Sequence, residues 1–329
     1  MKQSIVLKEI QLFLTRYCQQ ERRLSRLTIL SYRDTIKLFL NYIHNKKKKP
    51  LQSIELSDFS YDLVTEFLSY LEKDRNASVS TRNQRLCAIN SFLRYVLFKH
   101  PDYADTISRA LAIPRKKKSK VPRTFLEPDE IEILLSSVDQ KTWSGKRDYL
   151  LIDFCIRTGV RVSELVNLQS ENVNIGKSPY ITVIGKGRKQ RSIPIDRGLA
   201  KNLSKWIQAN RLELKSYLFP SVRGDKMSTD AVQHLLRKYI AICAKTSPLL
   251  KKKVSPHTLR HTTAMTLLNR GVDIQIIALW LGHEQIDTTQ IYLSESMALK
   301  KKALQKTNLH ISLPMRKIKK SELDFLDEI

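Results

Sequence analysis

Apolar side chains recur at three- and four-residue spacing from the start of the chain, the pattern of helices that bury one face. In SIVLKEIQLFLTRYCQQ they fall at Ile5, Leu7, Ile10, Phe13, Leu14 and Tyr17. In LTILSYRDTIKLFLNYI they fall at Leu30, Ile36, Phe39, Leu40 and Ile43. The lysine run Lys46–Lys49, followed by Pro50, ends this second helix. A third helix is predicted over about Tyr61 to Lys73 and a fourth from near Ser80, with that serine as its cap. Four amphipathic helices of this length make a small bundle, predicted over residues 1–112.

The stretch IPRKKKSKVPR, residues 113–123, breaks the pattern. Two prolines bracket a basic run that cannot pack into a core, so the segment is predicted to be an interdomain linker. It is either a strap for a polyanion or a solvated spacer.

Helical signals return from Thr124. EPDEIEILLSSV places Pro128 and acidic residues in a first turn, as helix starts prefer. RDYLLIDFCIRTG is a long helix and SELVNLQ follows Arg161. Further helices are predicted near Asp196, near Ser228, at Pro256, near Asp273, after Asp287 and through SESMALKKKALQKTNLH. One region departs: in YITVIGKGRKQRSIPI, the β-branched segments Tyr180–Ile184 and Arg191–Ile195 flank GKGRKQ, which predicts a hairpin. The expected fold class is mainly α with a small β-hairpin or sheet in a second domain over 124–300, followed by a tail over 301–329.

Composition sharpens this picture. The 329 residues suit two domains, and a 42% hydrophobic content supplies real cores. No apolar run is long enough to span a bilayer, and MKQSIVLKEI lacks a signal-peptide core, so a cytoplasmic location is expected. Cys18, Cys87, Cys155 and Cys243 stand far apart in apolar helical contexts and are predicted to be buried thiols. Lys plus Arg number 58 against 32 Asp plus Glu, a formal net charge of +26. Such an excess attracts polyanions by neutralising phosphates, which points to nucleic acid. A solubility surface or anionic lipid are the other readings of this charge.

The candidate chemistry lies in SPHTLRHTTAMTLLNRG, Ser255 to Gly271. Ser255 can cap the helix and Pro256 suits its first position. His257 then falls in the first turn, where backbone N–H groups favour an anion, and Arg260 follows one turn on the same face. Arginine, histidine and a helix N-terminus suit a phosphate. They suit a divalent metal poorly, because arginine repels cations and no carboxylate is near. His261 reads as a packed structural histidine. Downstream, DIQIIALWLGHEQIDTTQIYL forms an apolar helix closed by Gly282, then His283 and, nine residues later, Tyr292. Walker, GxGxxG, HExxH and EF-hand patterns are absent from the sequence.

The chain resembles the tyrosine recombinases of the integrase superfamily, particularly the simple Xer-like and transposon integrases. The matching motifs are TGVRVSELVNL with Arg161, GKGRKQRSIPI with Lys186, HTLRH with His257 and Arg260, LGH with His283, and IYL with Tyr292. Arg, Lys, His-x-x-Arg, His, Tyr is the family's order, and the resemblance covers about the whole chain. It implies a site-specific DNA recombinase that cuts and rejoins strands through a 3′-phosphotyrosine. In that chemistry Arg161 and Arg260 bind the phosphate, Tyr292 attacks, His257 acts as base and then acid, Lys186 protonates the leaving oxygen and His283 supports the phosphate. Glu164, one turn after Arg161, either orients its partners or is an ordinary helix charge.

The resemblance also implies a C-shaped two-domain clamp on double-stranded DNA with short inverted sites, built from a core-binding domain and a catalytic domain. The bundle begins almost at residue 1, so no separate arm-binding domain is expected. A homotetramer on synapsed DNA is implied, with a tail that docks on a neighbouring subunit. A second recombinase or accessory factor is a possible partner. No cofactor, metal or membrane is expected. The competing readings are a type IB topoisomerase-like enzyme, a non-catalytic architectural DNA-binding protein, and a zinc protein built on His257, His261 and His283.

Overall fold

A computed structural model describes residues 4–118, 124–185, 189–246 and 252–282. The chain divides into two compact units, Met1–Val121 and Pro122–Ile329.

In the first unit, α1 (Ile5–Leu12) runs on as a π-helix over Phe13–Glu21. Val6, Glu9, Phe13 and Cys18 turn inward, and Ile5 is exposed. A five-residue step from Phe13 to Cys18 matches the i→i+5 winding of a π-helix. There follow α2 (Arg26–Lys47), α3 (Tyr61–Lys73), α4 (Val79–Leu97) and α5 (Ala104–Leu111). The short α5, which buries Ile107 and Ala110, adds a fifth helix to the four read from periodicity. The core is aromatic: Phe13 stacks on Tyr17 and Tyr32 and meets Phe92 edge-on, while Phe39 packs on Phe59 and Phe67. The lysine run after α2 has a structural task as well. Lys47 and Lys49 donate to the buried carboxylate of Asp58 at 2.6 and 3.0 Å.

Two expectations need correction here. The cap of α4 is Ser78, whose Oγ accepts from Thr81 N at 3.2 Å, and not Ser80. Ser78 has the extended backbone a cap requires, whereas Ser80 already lies inside the helix and accepts from Lys118 Nζ at 2.9 Å. The basic linker is also not a free spacer along its first half. Ile113 is buried, and Arg82 donates to Pro114 O at 3.0 Å. The Asn83 amide grips the Lys116 backbone from both sides, donating to its oxygen at 2.8 Å and accepting from its nitrogen at 3.1 Å. Lys116 Nζ reaches Glu72 at 2.8 Å. Residues 113–118 are thus laid along α3 and α4 by side-chain hydrogen bonds, three of them to the segment's own backbone, that composition does not show.

The second unit contains α6 (Pro128–Ser136), α7 (Trp143–Thr158), the short α8 (Val162–Leu165), α9 (Arg197–Ala209), α10 (Thr229–Thr246), α11 (Pro256–Asn269) and α12 (Ile274–Leu281). Most start on the residue their capping chemistry favours: Thr142, Asp196, Ser255 and Asp273 each accept from a backbone N–H of the first turn. The predicted hairpin is part of a three-stranded antiparallel sheet: β1 (Val173–Asn174), β2 (Tyr180–Ile184) and β3 (Gln190–Pro194). Ile181 pairs with Ile193 and Val183 with Arg191, so that Ile181, Val183 and Ile193 face the core. That core also takes Leu134, Leu151, Phe154, Leu203 and Leu236. Ala264, Met265, Leu268, Ile277 and Leu281 form a second cluster that seats α12 on α11.

The fold is mostly helical with a small antiparallel sheet, as expected. Among the described residues no helix is long and apolar enough to cross a membrane. Cys18, Cys155 and Cys243 are buried free thiols and Cys87 is half-buried. Burial pushes the Cys155 thiol up to about 12. The helices expected after Asp287 and the tail lie outside the described residues.

Candidate active site

The site begins where α7 stops. Gly159, at φ +65°, caps the helix, and its N–H returns to Cys155 O at 2.9 Å. A side chain here would collide with Leu281, because a Cβ would lie 2.6 Å from Leu281 Cδ2. Two residues on, Arg161 is the extended N-cap of α8. Glu164 turns back on it and accepts from the Arg161 backbone N–H at 2.8 Å and from its Nη1 at 2.9 Å.

Glu164 is a buried carboxylate, with its side chain 2% exposed. Arg191 of β3 meets it with both Nη atoms, at 2.8 and 2.9 Å. Burial pushes the Glu164 carboxyl upward, but the Arg191 fork and the two donors of Arg161 outweigh this and hold it below its ordinary value. It is an anion shared by two guanidinium groups.

Arg260 arrives from α11, one turn after His257. It is buried, with Nη1 donating to Gly159 O at 2.7 Å and Nη2 to Leu281 O at 2.6 Å. Helix α11 is fixed to α7 beside it, where Thr263 Oγ1 donates to Ile156 O at 2.7 Å.

These bonds converge on the end of α12. Its last carbonyls lack partners within the helix and carry the negative end of its dipole. Trp280 O accepts from Arg191 Nε at 3.0 Å, Leu281 O from Arg260 Nη2 at 2.6 Å, and Gly282 O from Arg161 Nη2 at 2.6 Å. Three successive carbonyls thus each hold a different arginine. Gly282, at φ +66°, closes the helix, and a Cβ there would lie 2.9 Å from Arg191 Nη1.

Of the residues singled out in the sequence, Arg161, Glu164 and Arg260 are brought together. His257 is exposed on the first turn of α11. Lys186, His283 and Tyr292 lie outside the described residues. Lys186 follows Gly185, whose N–H donates to Lys189 O at 2.8 Å, and His283 follows Gly282 directly. Arg191 is not one of the residues singled out in the sequence, although it carries a signal: it sits two residues before the buried Ile193, on the inward phase of a strand. Among the described residues, no cluster of three His, Cys, Asp or Glu side chains could hold a metal ion.

Residues 124–298 match the phage integrase family, and residues 8–100 match its N-terminal SAM-like domain. A Sinorhizobium fredii protein assigned as an integrase/recombinase, y4rC, is 41% identical, with 90% of this chain and 89% of the relative covered. The tyrosine recombinase XerC of Anoxybacillus flavithermus is 33% identical over 84% of this chain and 89% of its own. Among solved structures, XerH site-specific recombinase bound to difH substrate in a pre-cleavage complex shares the fold at a TM-score of 0.67. It is 21% identical and covers 88% of this chain and 83% of that one.

Fold and relatives together define the class, a tyrosine-type site-specific recombinase. The chain belongs to the phage integrase family. Its relatives favour this reading over a topoisomerase-like enzyme, an architectural protein or a zinc protein.

Proposed function

We propose that the enzyme exchanges DNA strands by transesterification, with Tyr292 as nucleophile. The Tyr292 phenolic oxygen attacks the scissile phosphorus. The new O–P bond forms as the bond to the 5′-oxygen breaks, leaving a 3′-phosphotyrosine and a 5′-hydroxyl. A phenol of ordinary pKa about 10 must lose its proton during attack, and His257 accepts it. Lys186 gives a proton to the departing 5′-oxygen. Arg161 and Arg260 neutralise the charge that builds on the non-bridging oxygens, and His283 adds a hydrogen bond. A 5′-hydroxyl from a second strand reverses the step. The bond energy is kept in the ester, so the reaction as written consumes no nucleotide and needs no metal.

The observation that carries this reading is the holding of Arg161 and Arg260 by the adjacent carbonyls of Gly282 and Leu281. Two guanidinium groups set in place before substrate arrives need little reorganisation as charge develops. The net charge of +26 suits a duplex partner. Residues 1–112 would grip the core site, 124–300 would perform the chemistry, and the cytoplasm would be the place of action. Short inverted sites call for a homotetramer on synapsed DNA, with the residues after 300 docking between subunits and an accessory factor or second recombinase as a further partner. Deleting residues from Ser294 onward should then leave DNA binding but abolish cooperative synapsis in gel shifts. Unchanged synapsis refutes the docking.

The catalytic reading is tested by incubating the protein with nicked duplexes carrying candidate sites and resolving the products under denaturing conditions. Wild-type protein is expected to form a covalent protein–DNA adduct and Tyr292→Phe none. An adduct of equal yield from Tyr292→Phe overturns the assignment.

A further inference from the structure

The resemblance places no chemistry on Arg191, yet its side chain joins three elements of the site, β3, α8 and α12. It reaches inward from β3, packs its fork on Glu164 of α8 and sends Nε to Trp280 O of α12. Its side chain is 14% exposed. Glu164 in turn binds Arg161 through backbone and side chain. Gly282 leaves the space Arg191 occupies, since any Cβ there would press on its Nη1, Cζ and Cδ at 2.9 to 3.1 Å.

Arg161 alone is a long side chain with its end 30% exposed, and its aim depends on what fixes it. Two acceptors do so, Glu164 Oε1 at 2.9 Å and Gly282 O at 2.6 Å. Arg191 touches the elements that supply both: it clamps the same carboxylate, and it binds the carbonyl two residues before Gly282. Without Arg191, the buried Glu164 anion would lose its second guanidinium and could close on Arg161 more tightly. The last turn of α12 would lose its tie to β3.

We infer that Arg191 is a positioning residue for strand cleavage, holding Glu164 and the end of α12 so that Arg161 points at the scissile phosphate. It does not touch DNA itself. This rests on the reading of Arg161 as a phosphate ligand. Both ends of the linkage are made by groups with fixed geometry, a planar guanidinium against a planar carboxylate and against a helix-end carbonyl. Lysine, a single charged point on a flexible stem, can replace one of these contacts at a time.

The test uses full-length protein, nicked duplex sites and single-turnover formation of the covalent adduct at saturating DNA. Arg191→Met is expected to slow adduct formation about a hundredfold, the size of effect that an ångström of misplacement produces. The affinity for the duplex should change little. Arg191→Lys is expected to recover part of the rate. A second substrate replaces one non-bridging oxygen of the scissile phosphate with a neutral methyl group, so that less charge develops for Arg161 to neutralise. On it the loss caused by Arg191→Met should shrink toward severalfold.

A merely structural role would slow both substrates alike, and that result overturns the inference. So does wild-type cleavage by folded Arg191→Met. If Arg191→Met fails to fold, Arg191→Lys is scored on the same two substrates by the same criterion. Failure of the underlying reading is separate: there, wild-type protein itself would form no adduct that depends on Tyr292.

Discussion

Arg191 and Glu164 meet fork to fork, Nη1 2.8 Å from Oε1 and Nη2 2.9 Å from Oε2, with both side chains largely out of water. Such a pair stands to lose more by the removal of one partner than it contributes whole. Glu164→Gln leaves two guanidinium groups without their common anion and is expected to cost about 3 kcal/mol. Urea unfolding at pH 7 measures it.

The pH dependence of that loss has a definite sign. Glu164 is ionised more readily folded than unfolded, where it titrates near 4.5. Its stabilisation is therefore complete above that pH and fades as the pH falls through the depressed folded value. The gap between wild type and Glu164→Gln should be constant from pH 8 to about 5.5 and narrow below about 4.5. A gap that widened in acid would contradict the assignment.

Gly282 and Gly271 form a matched pair of tests. Both have positive φ, +66° and +85°, but a Cβ at Gly271 meets nothing within 4 Å, while one at Gly282 strikes the Arg191 guanidinium. Gly271→Ala should cost the backbone strain alone, about 1 kcal/mol, and leave DNA cleavage intact. Gly282→Ala should cost roughly 2 kcal/mol or more and slow cleavage as well. Thermal unfolding and single-turnover adduct formation read the two effects.

For Arg260 the conservative change is the informative one. Its Nη1 and Nη2 reach Gly159 O and Leu281 O together, which a single lysine nitrogen cannot do. Arg260→Lys is expected to lower the cleavage rate by about 10²- to 10³-fold, the size of losing one preorganised donor. Filter binding should show duplex affinity within a few-fold of wild type.

Much of this was legible in the chain. Asp196, Ser255 and Asp273 cap where a helix start needs an acceptor, because capping is local chemistry. The hairpin showed in two β-branched runs around glycines. Arg260 stood out beside His257 in the first turns of a capped helix, whereas Arg161 stood out only as a member of an ordered set. What stayed hidden depends on tertiary contact. Arg191 is one base among several in RKQR until a buried carboxylate faces it. The two-residue β1 is too short for alternation to appear. The π-winding of Phe13–Glu21, on which Phe13 and Cys18 are buried five residues apart, leaves no mark in the three- and four-residue apolar spacing.

The docked half of the basic linker makes a prediction of its own. Asn83 holds the Lys116 backbone by two hydrogen bonds. Asn83→Ala removes both and should free the chain around Lys116, Lys117 and Lys118. Limited trypsin digestion should then cut there roughly thirtyfold faster, from about 1 kcal/mol for each of the two lost hydrogen bonds. Unchanged cleavage would show that the other contacts suffice to hold the segment.

The central claim is that one phenol takes over a phosphate held by two arginines anchored to the end of α12. Its most direct test is to trap the protein on a nicked duplex, digest both components and locate the nucleotide-bearing residue by tandem mass spectrometry. A single modified peptide is expected, with the 3′-phosphate esterified to Tyr292. A nucleotide on any other side chain, or one joined through a 5′-phosphate, would contradict it.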